Sequence, residues 1–436
     1  MDVYLDTLGC RLNEAELSSW TREFEASGHR VVRRPEGAHV IVFNTCAVTA
    51  EAARKSRRLV RRLHRSNPNA QLVVTGCYAA LEPGRVADLM GVDLVIGNHE
   101  KANLVDTVLS TLDPSVMPEI ATEPDSSHMY RKTRHRAFVK IQDGCKNRCT
   151  FCVVTIARGD ERSRTEEALL EEVRHLSTQG YQEVVLTGVH LGGYGRDIGT
   201  NLFSLVKRVL EETTIPRVRL GSLEPWDLPE NFWDLWSLSR PSGAKLCPHL
   251  HLPLQSGSDS VLKRMARRCD KARYRALVEG ARRSIPDLTV TTDLIVGFPG
   301  ETAEEWQETV SFVKEIGFGH MHIFTYSPRE GTTAARMKGH LKNDVKRERS
   351  RELHTLAADM KAAHFQRFVG VEKAVLWEGR AAIEEDERRW GGYTENYLKV
   401  SLRLPVGDQT SLTNVLSRVK ITGYNDVGLE GELVVE

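Results

Sequence analysis

Three thiols on one short loop constrain this chain more than any other feature. Cys145-Lys-Asn-Arg-Cys149-Thr-Phe-Cys152 follows the strand-like run Ala137–Asp143, with three and then two residues between the cysteines. Thiolates spaced this way can hold three irons of a [4Fe–4S] cluster and leave the fourth iron open to an exogenous chelator. The competing occupant is zinc, which normally takes a fourth ligand close by. His135 is the nearest upstream histidine and precedes the strand, and no histidine follows closely. The spacing therefore favours a cluster over zinc.

Composition narrows the setting. At 436 residues the chain has length for two to four domains, and its formal net charge of +1 gives no global attraction to polyanions. No N-terminal apolar segment with a cleavage site is present, and no apolar run reaches the length of a membrane span. The expectation is a cytoplasmic protein with no membrane contact. Eight cysteines in a reducing compartment point to metal or redox chemistry rather than disulfides.

Residues 1–113 alternate strand and helix signals. Asp2–Thr7 reads as a strand, and Asn13 opens an amphipathic helix running to about Ser27. Val40–Asn44 has the continuous apolar run of a buried parallel strand. A helix from Ala50 to Ser66, a third strand Gln71–Thr75 and a fourth at Val92–Ile96 complete a doubly wound α/β domain. Cys10, Cys46 and Cys77 each fall just past the carboxyl end of one of its first three strands. Loops at that edge converge, so three cysteines distant in sequence meet in space. A single cysteine there would read as a small buried residue. Three at equivalent positions read as a second cluster site.

The Cys145–Cys152 spacing resembles the hallmark of the radical-SAM superfamily, in which S-adenosylmethionine (SAM) chelates the open iron. Thr7-Leu-Gly-Cys10-Arg-Leu-Asn13, Asn44-Thr-Cys46-Ala-Val-Thr49 and Thr75-Gly-Cys77 are similar to the N-terminal domain of the methylthiotransferases within it. That resemblance runs along essentially the whole chain. It implies metal ligands Cys10, Cys46, Cys77, Cys145, Cys149 and Cys152, two [4Fe–4S] clusters, and SAM. The last three cysteines take the catalytic role.

The segment 133–368 is then expected to be an incomplete (β/α)6 radical-SAM barrel. Its strand candidates are Ala137–Asp143, Glu183–Thr187, Arg217–Gly221, His249–Leu254, Thr289–Val296 and His320–Tyr326, with helices such as Thr165–Gln179 and Thr302–Ile316 between them. Six repeats fall short of an eight-unit barrel. By resemblance and by position at the carboxyl ends, Gly188, Glu224, Gln255, Asp293, Gly297, Tyr326 and Arg329 are candidate cofactor-binding residues. Each alone reads equally well as part of a strand-to-helix turn. The glycines of Asp293-Leu-Ile-Val-Gly297-Phe-Pro-Gly300 would permit close backbone approach to a ligand. Cys247 and Cys269 fit neither triad and read as structural.

Charge is unevenly placed. Arg54, Arg57, Arg58, Arg61, Arg62 and Arg65 crowd one helix, with Leu59 and Leu63 facing inward, and acidic partners are missing within the run. Arg54, Arg57, Arg58, Arg61 and Arg62 are candidate RNA-phosphate contacts, set against the plainer reading of a solvated helix face. Lys263–Arg275 is a second basic region, whereas Lys346–Arg351 is interleaved with Glu348 and Glu352 and reads as a self-paired surface helix.

Residues 114–132, with prolines, acids and serines, read as a linker. From 369 to 436 short strands at Lys373–Glu378, Gly392–Leu404, Val415–Gly423 and Gly431–Val435 indicate a small β-barrel, and Gly392–Val400 is similar to the TRAM domain of tRNA-modifying family members. This segment holds eight Lys and Arg against twelve Asp and Glu, unlike a generic phosphate-binding barrel. Asn44–Thr49 and His251–Asp259 look closest to the family branch acting on N6-threonylcarbamoyladenosine at position 37 of tRNA, 3′ of the anticodon. The implied partners are tRNA, an electron donor and a sulfur donor. Alternatives are a ribosomal-protein aspartate, isopentenyladenosine in tRNA, or a non-catalytic iron–sulfur sensor that binds RNA.

Overall fold

The structure is a computed structural model and describes residues 1–112, 135–238, 243–384, 387–405, 407–408 and 410–434. The expected linker 114–132 lies outside the described residues. Packing divides the chain into two compact units. The first is built on residues 1–112 together with Asp143–Glu161 and Ser327–Ala335. The second holds the remainder of the central segment and the C-terminal strands.

In the first unit β1 (Asp2–Thr7), β2 (Arg30–Val32), β3 (Val40–Thr45), β4 (Gln71–Gly76) and β5 (Leu94–Ile96) form one parallel sheet in the order β2-β1-β3-β4-β5. Helices α1 (Arg11–Ala26), α2 (Ala50–Ser66), α3 (Cys77–Leu81), α4 (Pro83–Ala87), α5 (Leu104–Thr111) and α6 (Val154–Arg158) complete it. Every residue of β3 is buried, as its apolar run requires for a strand covered on both faces. Val40 and Val42 meet Leu17, Trp20 and Phe24 of α1, while Ile41 and Phe43 meet Val60 and Leu63 of α2. Thr49 caps α2 by accepting the Ala52 N–H at 3.1 Å. The strand order reverses between β1 and β3, so a crevice opens at their carboxyl ends.

In the second unit the parallel strands are β6 (Arg136–Asp143), β8 (Glu183–Gly188), β9 (Arg217–Leu220), β10 (Lys245–Leu246), β11 (His249–His251), β12 (Thr289–Val296) and β13 (His320–Thr325), and the two-residue β7 (Arg162–Ser163) lies beside β6. They form a five-stranded sheet, β10-β9-β8-β6-β7, and a three-stranded one, β11-β12-β13. A parallel bridge from Ser222 to His251 joins them, so β6-β8-β9-β11-β12-β13 make one curled, open sheet of six main strands. Helices α7 (Glu166–Thr178), α8 (Leu202–Glu212), α9 (Asp259–Arg264), α10 (Lys271–Ser284), α11 (Ala303–Ile316) and α12 (Asn343–Gln366) cover its outer face over a large apolar core. The expected incomplete (β/α)6 barrel is the observed architecture.

The C-terminal strands β14 (Glu372–Glu384), β15 (Glu387–Thr394), β16 (Lys399–Pro405), β17 (Leu416–Tyr424) and β18 (Leu429–Leu433) close a barrel in the order β14-β15-β16-β18-β17. Trp377, Trp390, Val400, Val419 and Ile421 fill it. The single strand expected over Gly392–Leu404 is instead two strands joined by a turn. Tyr397 takes φ +67°, and the Thr394 side chain binds both Asn396 and the Leu398 N–H. Local side-chain hydrogen bonding there outcompetes strand continuation.

Two other readings are corrected. Asn13 does not open the first helix, which begins at Arg11. It lies inside α1, buried, and donates to the Leu8 and Thr45 carbonyls. The run Lys346–Arg351 is not a self-paired surface helix either. Lys346 and Arg349 are buried on α12, with Arg349 on Glu301 at 2.6 Å and Lys346 on the Tyr326 carbonyl at 3.2 Å.

The small barrel docks at the amino ends of the central strands through a buried ion network. Arg219 grips Glu183 with two hydrogen bonds of 2.6 and 3.0 Å, and both side chains are fully buried. Arg217 donates to the Ala374 carbonyl, Arg219 to the Glu395 carbonyl, and Arg136 pairs with Glu378 at 2.6 Å. Burial opposes ionisation of Glu183, but Arg219, with help from Arg136 and Arg217, outweighs it and holds the carboxyl below the usual glutamate range. A depressed carboxyl contributes stability above its unfolded-state pKa and loses it as pH falls. Replacing Glu183 by Gln should therefore cost about 3–5 kcal/mol near neutral pH. The deficit should shrink as pH drops below about 4.3. Urea unfolding followed by tryptophan fluorescence across pH checks both.

Candidate active site

The loop after β6 is braced on itself. Gly144 takes φ +75°, and a Cβ there would lie 1.8 Å from the Asp160 carbonyl oxygen, so only glycine fits. Cys145 N–H donates to the Gly159 carbonyl at 3.0 Å and Cys152 N–H to the Cys149 carbonyl at 3.0 Å. The Ala334 N–H holds the Thr150 carbonyl at 2.8 Å. Cys145, Cys149 and Cys152 are all half-buried. The N–H groups of Asn147 and Val154 point at the sulfurs of Cys145 and Cys152, each at 3.4 Å. Backbone N–H groups aimed at thiolate sulfur stabilise the anionic, metal-bound form. Three accessible thiols on one loop with amides turned toward them fit three corners of a [4Fe–4S] cluster.

The other three cysteines meet at the carboxyl edge of the N-terminal sheet. Cys10 follows β1 and is exposed; Cys46 follows β3 and Cys77 begins α3, both buried. A Cβ on Gly9 would lie 3.0 Å from Cys46 Cβ, and one on Gly76 would lie 2.3 Å from the Thr45 carbonyl. The two glycines thus admit the close approach that brings the cysteines together. Burial, reinforced by neighbouring Cys77 and Cys10, pushes the Cys46 thiol up to about 11. Such a thiol stays protonated at neutral pH until a metal displaces the proton, as expected of a ligand awaiting its metal. Beside this triad lies a buried polar group that sequence reading missed, Arg158 with Asn13, Glu16 and Lys101.

The remaining candidates fall in different surroundings. Gly188 ends β8 beside Gln142, whose amide oxygen accepts the His190 N–H at 2.8 Å. His190 Nε2 in turn meets Asp227 at 2.6 Å. Gln255 (φ +73°) is tied to β12 by backbone bonds with Asp293 and Ile295. The Glu224 carboxylate is taken by Arg267 at 2.7 Å, and that guanidinium stacks on Trp226. The space above Gly297 is filled by the Lys346 stem, 2.6 Å from a Cβ built there, so this glycine admits a side chain rather than a ligand. The hydroxyl of buried Tyr326 and Nε of Arg329 have no hydrogen-bond partner among the described residues. Asp293 reaches His251 Nε2 at 3.2 Å, and with His322 they bring one ligand atom each within 4.8 Å of one another. His251 and His322 were not among the sequence candidates; histidines at every second position, His320 and His322, were the available signal.

Residues 2–97 match the uncharacterized protein family UPF0004, and residues 139–313 match the Radical SAM superfamily. A Thermotoga maritima protein named threonylcarbamoyladenosine tRNA methylthiotransferase MtaB is 37% identical over 406 residues, covering 91% of this chain and 90% of that relative. A Bacillus subtilis protein of the same name is 35% identical and covers 91% and 89%. This chain belongs to the radical-SAM methylthiotransferase family. Its members include a second Bacillus subtilis relative, named tRNA-2-methylthio-N(6)-dimethylallyladenosine synthase, 34% identical over 99% of this chain and 86% of the relative. The fold is also that of TsrM from Kitasatospora setae, a radical S-adenosylmethionine methyltransferase, with a TM-score of 0.54, 15% identity and 77% of each chain covered.

Membership of the radical-SAM methylthiotransferases brings a [4Fe–4S] cluster and SAM as cofactors. Among the described residues no helix is long and apolar enough to cross a membrane. Replacing Gly144 by Ala should drive the turn into Asp160 and displace Cys145. Iron analysis of the reconstituted variant should show a loss of about four irons, one cluster's complement, from the wild-type content.

Proposed function

We propose that this radical-SAM methylthiotransferase acts on tRNA and converts N6-threonylcarbamoyladenosine, 3′ of the anticodon, to its 2-methylthio derivative. The observation that carries the substrate is the match, in identity and in length together, to relatives named for that nucleoside. Cys145, Cys149 and Cys152 are assigned to the SAM-binding cluster, within a core spanning 133–368. Cys10, Cys46 and Cys77 are assigned to a second [4Fe–4S] cluster in the N-terminal segment 1–113, through which sulfur reaches the substrate from an outside donor.

The bound cluster and SAM supply a 5′-deoxyadenosyl radical, able to remove an aromatic hydrogen that has no useful acidity. The residues of this chain do the rest. Gly188, Gln255, Asp293 and Tyr326 are assigned to the cofactor and substrate space, and the Tyr326 hydroxyl, without a hydrogen-bond partner among the described residues, supplies a donor there. Glu224 and Gly297 shape its wall through Arg267 and Lys346. Arg329, whose Nε likewise has none among the described residues, is assigned to cofactor binding on its own segment. The C-terminal barrel, 369–436, serves as a TRAM-like module. An electron donor and a sulfur donor complete the partners, in the cytoplasm.

The test follows methyl-labelled SAM into product. Label should enter tRNA carrying the threonylcarbamoyl group, and not tRNA lacking it or ribosomal protein. Replacing Cys145, Cys149 and Cys152 by Ala should abolish 5′-deoxyadenosine release. Replacing Cys10, Cys46 and Cys77 should spare that release and abolish thiolation. Equal labelling of tRNA without the modification would remove the substrate assignment and leave the chemistry.

Contact with RNA is assigned to α2. Arg54, Arg58, Arg61, Arg62 and Arg65 are exposed, and among the described residues no carboxylate lies within salt-bridge distance of them. Arg57 is half-buried against Tyr78, with Nη1 3.3 Å from its hydroxyl, and anchors the helix. Unpaired exposed cations are available to phosphates, and each contact releases counterions. Changing Arg54, Arg58, Arg61 and Arg62 to Gln should weaken tRNA binding. It should also flatten the log–log salt dependence by about 0.7 per lost contact on single-stranded regions. An unchanged slope in a salt titration of binding would return this face to plain solvation.

A further inference from the structure

Arg158 closes α6, and its side chain is only 2% exposed. A buried guanidinium needs partners, and it has them in number. Nη1 lies 3.0 Å from Oε1 of Glu16 and 3.0 Å from Oδ1 of Asp143; Nη2 donates to Oδ1 of Asn13 at 3.0 Å. Glu16 is as deeply buried. Its other oxygen receives Lys101 Nζ at 2.7 Å and Asn44 Nδ2 at 2.9 Å. Two carboxylates and two cations balance one another in this group.

What lies at its two ends is the informative part. Asn13 Oδ1, which accepts Arg158, is also 3.9 Å from the Cys10 thiol. Helix α3 begins with Cys77 and packs on α6, and Ala157 shares an apolar cluster with Cys77. Both sulfurs are close enough to Arg158 that a thiolate at either Cys77 or Cys10 would favour its cation. At the opposite end Asp143 Oδ1 also accepts the Gly144 N–H, in the turn that leads into Cys145. The loop carrying one triad thus places a permanent cation beside the other.

We propose that Arg158 is a positioning residue that balances the charge of an iron–sulfur cluster held by Cys10, Cys46 and Cys77 and thereby raises its reduction potential. The proposal rests on the two-cluster reading above. One-electron reduction adds one negative charge to such a cluster and neither makes nor breaks a bond. A buried cation beside it stabilises the reduced form, because the low dielectric leaves the attraction weakly screened. Its attachment to the Cys145–Cys152 loop makes that charge depend on how the loop is seated.

The experiment uses the full chain with Cys145, Cys149 and Cys152 replaced by Ala, so that a single cluster is read. Iron per chain and the midpoint potential, from an EPR-monitored reductive titration, are measured in this background and with Arg158→Gln, Arg158→Lys or Glu16→Gln added. Arg158→Gln should shift the midpoint to a more negative value with iron unchanged, and Arg158→Lys should restore it. Glu16→Gln, which removes a negative charge from the same group, should shift it the other way. Equal midpoints for the background and Arg158→Gln, with iron retained, overturn the proposal. If Arg158→Gln does not fold, Glu16→Gln decides: a positive shift supports the assignment and no shift overturns it. A background that binds no iron with Arg158 intact overturns the two-cluster reading, and this proposal with it.

Discussion

A strand that delivers a cysteine to a shared site must turn off its own axis within one residue, and a side chain on that residue forbids the turn. Three of the six triad cysteines stand after a glycine, and in each case the backbone is left-handed: Gly9, Gly76 and Gly144 have φ of +138°, +101° and +75°. The Cβ atoms these glycines lack would strike Cys46, Thr45 and Asp160 respectively. Cys46 needs no such device, because β3 is buried along its whole length and runs straight into it. The geometry of both triads follows from where backbone can approach backbone, before any ligand is considered.

That close approach brings charge indoors. Glu16, Lys101, Arg158, Glu183 and Arg219 have side chains no more than 3% exposed, and each burial carries a desolvation cost of several kcal/mol. Apolar side chains of similar volume would hold the same elements together at least as firmly. Such charges are more readily understood as specifying geometry. The fork of Arg219 on Glu183 fixes one orientation, and Arg158 reaches Asn13, Glu16 and Asp143 only when its loop is seated. Burial lowers the proton affinity of Lys101, while Glu16 opposes the effect, so Glu16 and Lys101 stand or fall as a pair.

Strands were legible because burial writes a plain pattern. Val40–Thr45 announces itself by an apolar run, Thr289–Val296 by its β-branched residues, and the cysteines by their place at strand ends. What escaped depends on contacts between segments far apart in the chain. Arg158 reads as one arginine among many until Glu16, 142 residues away, is beside it. Lys346 and Arg349 carry the local signature of a solvated helix, yet Gly297 and Glu301 draw them inside. The strand break at Thr394–Leu398 was hidden for the opposite reason. Its cause is local, but β-formers surround the one residue, Asn396, that signals a turn. Gly297 shows the limit of reading a glycine as a ligand cradle, since the same vacancy serves a lysine stem.

The acidic C-terminal barrel looked ill-suited to a module that closes a tRNA enzyme. Its docking supplies a physical account. Glu378 and Glu395 face Arg136 and Arg217 of the central strands, and Arg136 and Arg219 also lie over the rings of Tyr393 and Tyr397. Glu372 and Glu387 meet Arg418 and Arg403 of the barrel itself. Cations of the core are committed to barrel carboxylates, so a negative barrel is what the amino end of the central sheet requires. Charge that answers charge within the protein is not available to phosphate. The exposed arginines of α2 have no carboxylate within salt-bridge distance among the described residues, so their charge is not answered in that way. Net charge of a segment therefore says little about RNA until its internal pairs are subtracted.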